Sequence, residues 1–107
     1  MRPIALFEAA HLRGDIEDES GNYAAARARF EEALDIAVRA GYVLGEARAH
    51  TALGILLSRQ HQAGDAARHF ERAEELFRAT GEIARAERNR SNLAFALIMA
   101  GRHEDAI

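Results

Sequence analysis

Small and apolar residues recur along this chain at helical spacing, and the same set returns forty positions later. Gly14 is matched by Gly54, Ala26 by Ala66, Phe30 by Phe70, Ala33 by Ala73 and Gly41 by Gly81. A further forty residues match Leu53 with Leu93, Leu57 with Leu97 and Ala66 with Ala106, with no gap anywhere. Steps of three and four, as in Ala26, Phe30 and Ala33, put apolar positions on one face of a helix and not on one face of a strand. The pattern predicts helices over 4–20, 23–40, 43–60, 63–80 and 83–100, with a further helix opening near 103. Self-similarity at this period is the mark of a stacked repeat array.

The turns fit that division. Gly41 and Gly81 stand where a left-handed residue would end the second helix of each unit. Gly21–Asn22 and Gly101–Arg102 supply the turn inside units one and three, and Asn22 is a candidate N-cap. The middle unit turns at RQHQAGD, with its glycine three residues later, which leaves room for a different hairpin there. Pro3 suits the first turn of the first helix, where its missing N–H costs nothing.

Composition adds helix preference and removes several chemistries. Alanine occurs 24 times in 107 residues, and alanine with Glu and Arg favours helix over strand. There is no cysteine, so disulfides and thiolate chemistry are ruled out and the default compartment is the cytoplasm. All fourteen basic residues are arginine, as expected of a GC-rich genome. Residues 1–46 hold five Arg against nine acids, and residues 47–107 nine against eight. Neither half has the basic surplus that nucleic-acid binding demands. No apolar run reaches the twenty or so residues of a membrane span, and a soluble chain is expected.

The residues that repeat resemble the tetratricopeptide repeat, whose pattern is a bulky residue, Leu-Gly, an aromatic, then Ala and a second aromatic. The middle unit carries His50, Leu53-Gly54, Leu57, Ala66 and Phe70, followed by Ala73. Unit three carries Arg90, Leu93-Ala94, Leu97 and Ala106; unit one carries Ala10, Arg13-Gly14, Glu17, Ala26 and Phe30. The period of forty departs from the usual 34, and the extra residues fall around GYVLGE and GEIARA. This longer variant is similar to arrays in bacterial transcriptional activators and peptide-sensing regulators. The resemblance implies an all-α solenoid of antiparallel helix pairs, about two and a half repeats in a single domain. Its units would be 1–40, 41–80 and 81–107. Small residues at 14, 54 and 94, and at 26, 66 and 106, would let paired helices approach, with Phe30 and Phe70 filling the space between units. Arg13 and Glu17 occupy core positions of the pattern. Spaced i,i+4, they are expected to pair on an outer face, with Leu12 and Ile16 turned inward.

The resemblance also implies a non-catalytic scaffold that holds a protein or peptide segment on the concave surface of the first helices. Carried over by phase, that surface is His11, Asp15 and Asp18 with Glu8 in unit one. It continues with Arg48, Thr51, Ile55, Ser58 and Arg59, then Arg88, Ser91, Asn92, Phe95, Ile98 and Met99. The face would run from acidic through mixed to apolar, suiting a partner with a basic end and an apolar end. Arg88 and Asn92 resemble part of the carboxylate clamp of one branch of the family, but His11 and Asp15 stand where that clamp needs Lys and Asn. No motif nominates a reaction, and no cofactor is expected. His11, Asp15 and Asp18 share one helical face at i, i+4 and i+7, yet metal sites draw ligands from several elements, so an acidic solvated face is the expectation and no metal is assigned. His50, His61, His69 and His103 are expected to be solvated or half-buried.

By the offset, the counterpart of Phe70 would be residue 110, so the first helix of unit three lacks its partner. Leu93, Leu97, Ile98 and Met99 then form a candidate self-association surface, and either a longer array or an oligomer is expected to cover it. Two alternatives accompany the scaffold: the sensor segment of a transcriptional regulator whose DNA-binding domain lies elsewhere, and a self-assembly module.

Overall fold

The computed structural model describes the backbone of residues 2–106 and the side chains of residues 2–101. Five α-helices follow one another: α1 (Pro3–Glu19), α2 (Tyr23–Ala40), α3 (Val43–Arg59), α4 (Ala63–Ala79) and α5 (Ile83–Ala106). Each packs on the next in chain order, while α1 meets α3 and α3 meets α5 only lightly. The result is an all-α solenoid with α1, α3 and α5 in one layer and α2 and α4 in the other. Its shortest dimension, 19 Å, is about two helix diameters. None of the described helices is long and apolar enough to cross a membrane.

The four turns share one geometry. Gly21, Gly41, His61 and Gly81 all have positive φ. The N–H groups of Asn22, Tyr42, Gln62 and Glu82 donate to the carbonyls of Glu17, Ala37, Leu57 and Phe77 at 2.8–2.9 Å. The residue before each donor bonds one position further along, to Asp18, Val38, Ser58 and Arg78. This double bond closes a helix around a left-handed residue. The middle hairpin is therefore not different: His61, at φ 61°, does what glycine does in the other three. Backbone groups alone make these bonds, so the position demands the conformation whatever residue fills it, and histidine accepts it at a cost of about 1 kcal/mol. Asn22 starts α2 without a side-chain capping bond.

Close approach of helices sets the rest. In unit one the ring of Phe30 lies on the bare backbone of Gly14, and in unit two that of Phe70 lies on Gly54. Each ring also reaches the next unit: Phe30 packs with Leu53 and Leu56, and Phe70, beside Leu57 of its own unit, with Ala96 and the half-buried Leu93. A second relation runs the other way. Phe7 packs with Ala37 in unit one, whereas forty residues on Ala47 packs with Phe77. The bulky partner has moved from the first helix to the second, and the volume is conserved.

Three expectations are corrected here. Leu12 and Ile16 do not turn inward; they are 59% and 53% exposed. Phe7, Ala10 and Gly14 are the buried residues of α1, and their spacing orients the helix with Leu12 and Ile16 on its far side. Arg13 and Glu17 form no ion pair among the described residues. The predicted turn at Gly101–Arg102 is also absent, because α5 continues through it to Ala106. Gly101 is not among the glycines with positive φ, so the helix is not closed there as it is at the four turns. The side chains of His103 and Ala106 lie outside the described residues.

Candidate functional site

An open groove of about 510 Å³ runs across α1, α3 and α5. Nine of the fifteen residues assigned by phase line it: His11, Asp15 and Asp18 from α1; Arg48, Thr51, Ile55 and Arg59 from α3; and Arg88 and Asn92 from α5. Glu8, Ser58, Ser91, Ile98 and Met99 do not, nor does Phe95, which is 60% exposed in a shallow hollow alongside that shares Ile55, Arg59 and Asn92 with the groove. Phe95 and Met99 also face a second hollow, formed with the turn and start of α4. The groove's α5 end is thus basic and amide-rich, not apolar, because Arg85, Arg88, Asn89 and Asn92 face it while Phe95, Leu97 and Ile98 lie elsewhere on the helix.

Two ion pairs bridge α1 to α3. Arg48 donates to both carboxylate oxygens of Glu8, at 2.6 and 3.2 Å, and its guanidinium lies 5.2 Å from the centre of the Phe7 ring. Hydrogen bonding to Arg48 lowers the Glu8 pKa, and the same bond raises that of Arg48. Arg59 donates to Asp18 Oδ2 at 2.5 Å, and Asp18 Oδ1 is buried with no partner among the described residues. His11 sits between the rings of Phe7 and Phe30, with centroids 5.5 and 5.4 Å away, and its Nδ1 is 3.4 Å from Asp15. Burial is the first cause of its lowered pKa. Asp18 is committed to Arg59, and among the described residues no three His, Asp or Glu side chains converge as a metal site.

Two features were missed from the sequence. Asn89 is 2% exposed; its amide donates to the Phe70 carbonyl at 2.6 Å, and its carbonyl oxygen lies 3.2 Å from Thr51 Oγ1. Thr51 Oγ1 is equally far from the Ala47 carbonyl, so its one proton serves either acceptor. This network ties α5 to α3 and α4 beneath the groove. The offset gave no warning of it, because the equivalent residue in unit two is Ala49. On the far side, His50 and His69 bring their Nδ1 atoms to 3.0 Å. The two lie on helices that pair antiparallel about the turn at His61, and that neighbourhood was the available signal.

Leu97 is 51% exposed, whereas its counterpart Leu57 is 1% exposed under α4. Leu93 is half-buried against Leu57, Phe70 and Ala96, so of the candidate self-association residues it is Leu97, Ile98 and Met99 that are open.

Comparison with known proteins gives one match: a family model described as tetratricopeptide repeat covers residues 6–79. No curated protein and no solved structure matches the chain.

Proposed function

Because the chain belongs to the tetratricopeptide repeat family, whose members are in general protein-interaction scaffolds, we propose that it is a non-catalytic, cytoplasmic scaffold holding a segment of a partner protein in the groove of α1, α3 and α5. The observation that carries this reading is convergence: nine of the fifteen residues chosen by repeat phase, from three helices forty residues apart, line one groove. Its volume falls within the range of about 300–1,000 Å³ that suits bound ligands, enough for a few side chains of an extended segment. A photo-crosslinking residue placed at Ile55, on the groove floor, is expected to capture the partner more efficiently than one at the exposed Glu71 of α4. Equal capture at both, or capture from Glu71 alone, rejects the groove.

A second contact is favoured by the difference between Leu97 and Leu57. The exposed parts of Phe95, Leu97, Ile98 and Met99 amount to an area on the order of 400 Å², half of what each partner contributes to a stable interface. A second copy pairing its own α5 there would bind weakly, and self-association should appear only at high concentration. Sedimentation velocity over a dilution series checks this, and a chain that stays monomeric at millimolar concentration contradicts it.

A further inference from the structure

Among the charges lining the groove, those near its middle are already satisfied and those at its two ends are not. Arg48 is held by Glu8 and Arg59 by Asp18, so the α1–α3 boundary is internally neutral. At the α1 end, Asp15 and Glu19 lie i,i+4 on one helix face; Asp15 has only the 3.4 Å contact with His11, and Glu19 has no ion-pair partner among the described residues. At the α5 end, Arg85 and Arg88 lie i,i+3; Arg85 has a 3.7 Å contact with Glu82, and Arg88 has no carboxylate within 4 Å among the described residues. Like charges at these spacings repel along a helix. An opposite charge from outside relieves that repulsion at each end. Between the ends, α3 supplies an uncharged floor of Thr51, Ala52 and Ile55.

We infer that the groove selects a bipolar segment: an extended stretch of a partner protein with a cationic side chain on Asp15 and Glu19 and a carboxylate side chain on Arg85 and Arg88. This rests on the groove being the partner face. Packed helices lie about 8–10 Å apart, and α1, α3 and α5 meet only lightly, so α1 and α5 stand about 20 Å apart or more. An extended chain rising about 3.3 Å per residue crosses that distance in about six residues. A uniformly acidic segment meets the α1 wall unfavourably, and a uniformly basic one meets the α5 wall in the same way. The arrangement therefore rejects both classes while accepting the mixed one.

Four fluorescein-labelled, end-blocked peptides of alanine and serine test this against the full chain by fluorescence anisotropy. Spaced about six residues apart, they carry an arginine and a glutamate, two arginines, two glutamates, or two glutamines. The mixed peptide is expected to bind about fivefold more tightly than any other, since an exposed ion pair contributes up to about that factor, and added salt should shrink the difference. In Arg88→Glu the preference should pass to the peptide with two arginines. Equal or tighter binding of the two-glutamate peptide, equal binding of all four, or an unchanged preference in Arg88→Glu overturns the bipolar assignment while leaving the groove as partner face. Failure of all four to bind at millimolar concentration also overturns it, and crosslinking at Ile55 then decides separately whether the groove is used at all.

Discussion

The ring of Phe70 rests on Gly54 so closely that an added Cβ would stand 2.5 Å from the ring edge. No real side chain tolerates that distance, so Gly54→Ala must push α3 and α4 apart or turn the ring. In an exposed helix the same change stabilises by about 1 kcal/mol. Here the overpacking reverses the sign, and a loss of about 1–3 kcal/mol is expected in urea denaturation. Phe70→Leu in the Gly54→Ala background should recover part of the loss, because the smaller side chain vacates the space. A stabilised Gly54→Ala variant would contradict the close approach.

The exchange of Phe7 and Ala37 for Ala47 and Phe77 makes a second prediction. Phe77→Ala alone should cost about 3–5 kcal/mol through lost burial and a cavity. Ala47→Phe alone should be overpacked. The double variant recreates the arrangement of unit one and is expected to regain most of the stability, a coupling read from a double-mutant cycle. Additive losses would show that the two positions do not share one space.

His50 and His69 predict a dependence on pH. Burial, then the neighbouring His69, then Arg72 push the His50 pKa down to about 4. Burial and Arg27 lower that of His69, against the opposing pull of Asp65 and Glu31. The unfolded chain takes up these protons near pH 6.5. Between there and about pH 4 the unfolded state holds more protons, so stability is fully present above pH 6.5 and falls as the solution is acidified through that window. Both rings are only half-buried, so the loss is on the order of 1 kcal/mol after solvent screening. Replacing His50 by Leu should make the profile shallower, with the contributions of His69 and His11 remaining. An unchanged slope would place the titration elsewhere.

The helices were legible because each left-handed turn is spaced twenty residues from the next, and three of the four hold glycine. His61 concealed the fourth, since no residue type announces that its backbone is held at positive φ by bonds between other residues. Leu12 and Ile16 were misread because hydrophobicity alone does not say which face of α1 meets α2; the glycine at position 14 does, once Phe30 is seen to need it. The groove was legible as a phase, because repeats place equivalent residues on equivalent surfaces. Its charge pattern was not, since that depends on which arginine each carboxylate of α1 reaches across to α3. Asn89, too, is hidden from repeat logic, as it answers to the Phe70 carbonyl and Thr51 and has no polar counterpart in unit two.

The chain holds seven isoleucines, and the six with described side chains divide among its surfaces. Ile55 lies on the groove floor, Ile36 packs behind it against the unit-one core, Ile4 and Ile16 are exposed on α1, and Ile83 and Ile98 are exposed on α5. Methyl-labelled isoleucine spectra recorded as the crosslinked partner segment is added therefore map its seat directly. A shift centred on Ile55, with Ile36, Ile4 and Ile16 unmoved, is the result the groove predicts. Shifts confined to Ile98 and Ile83, or to Ile4 and Ile16, with Ile55 unchanged, would contradict it.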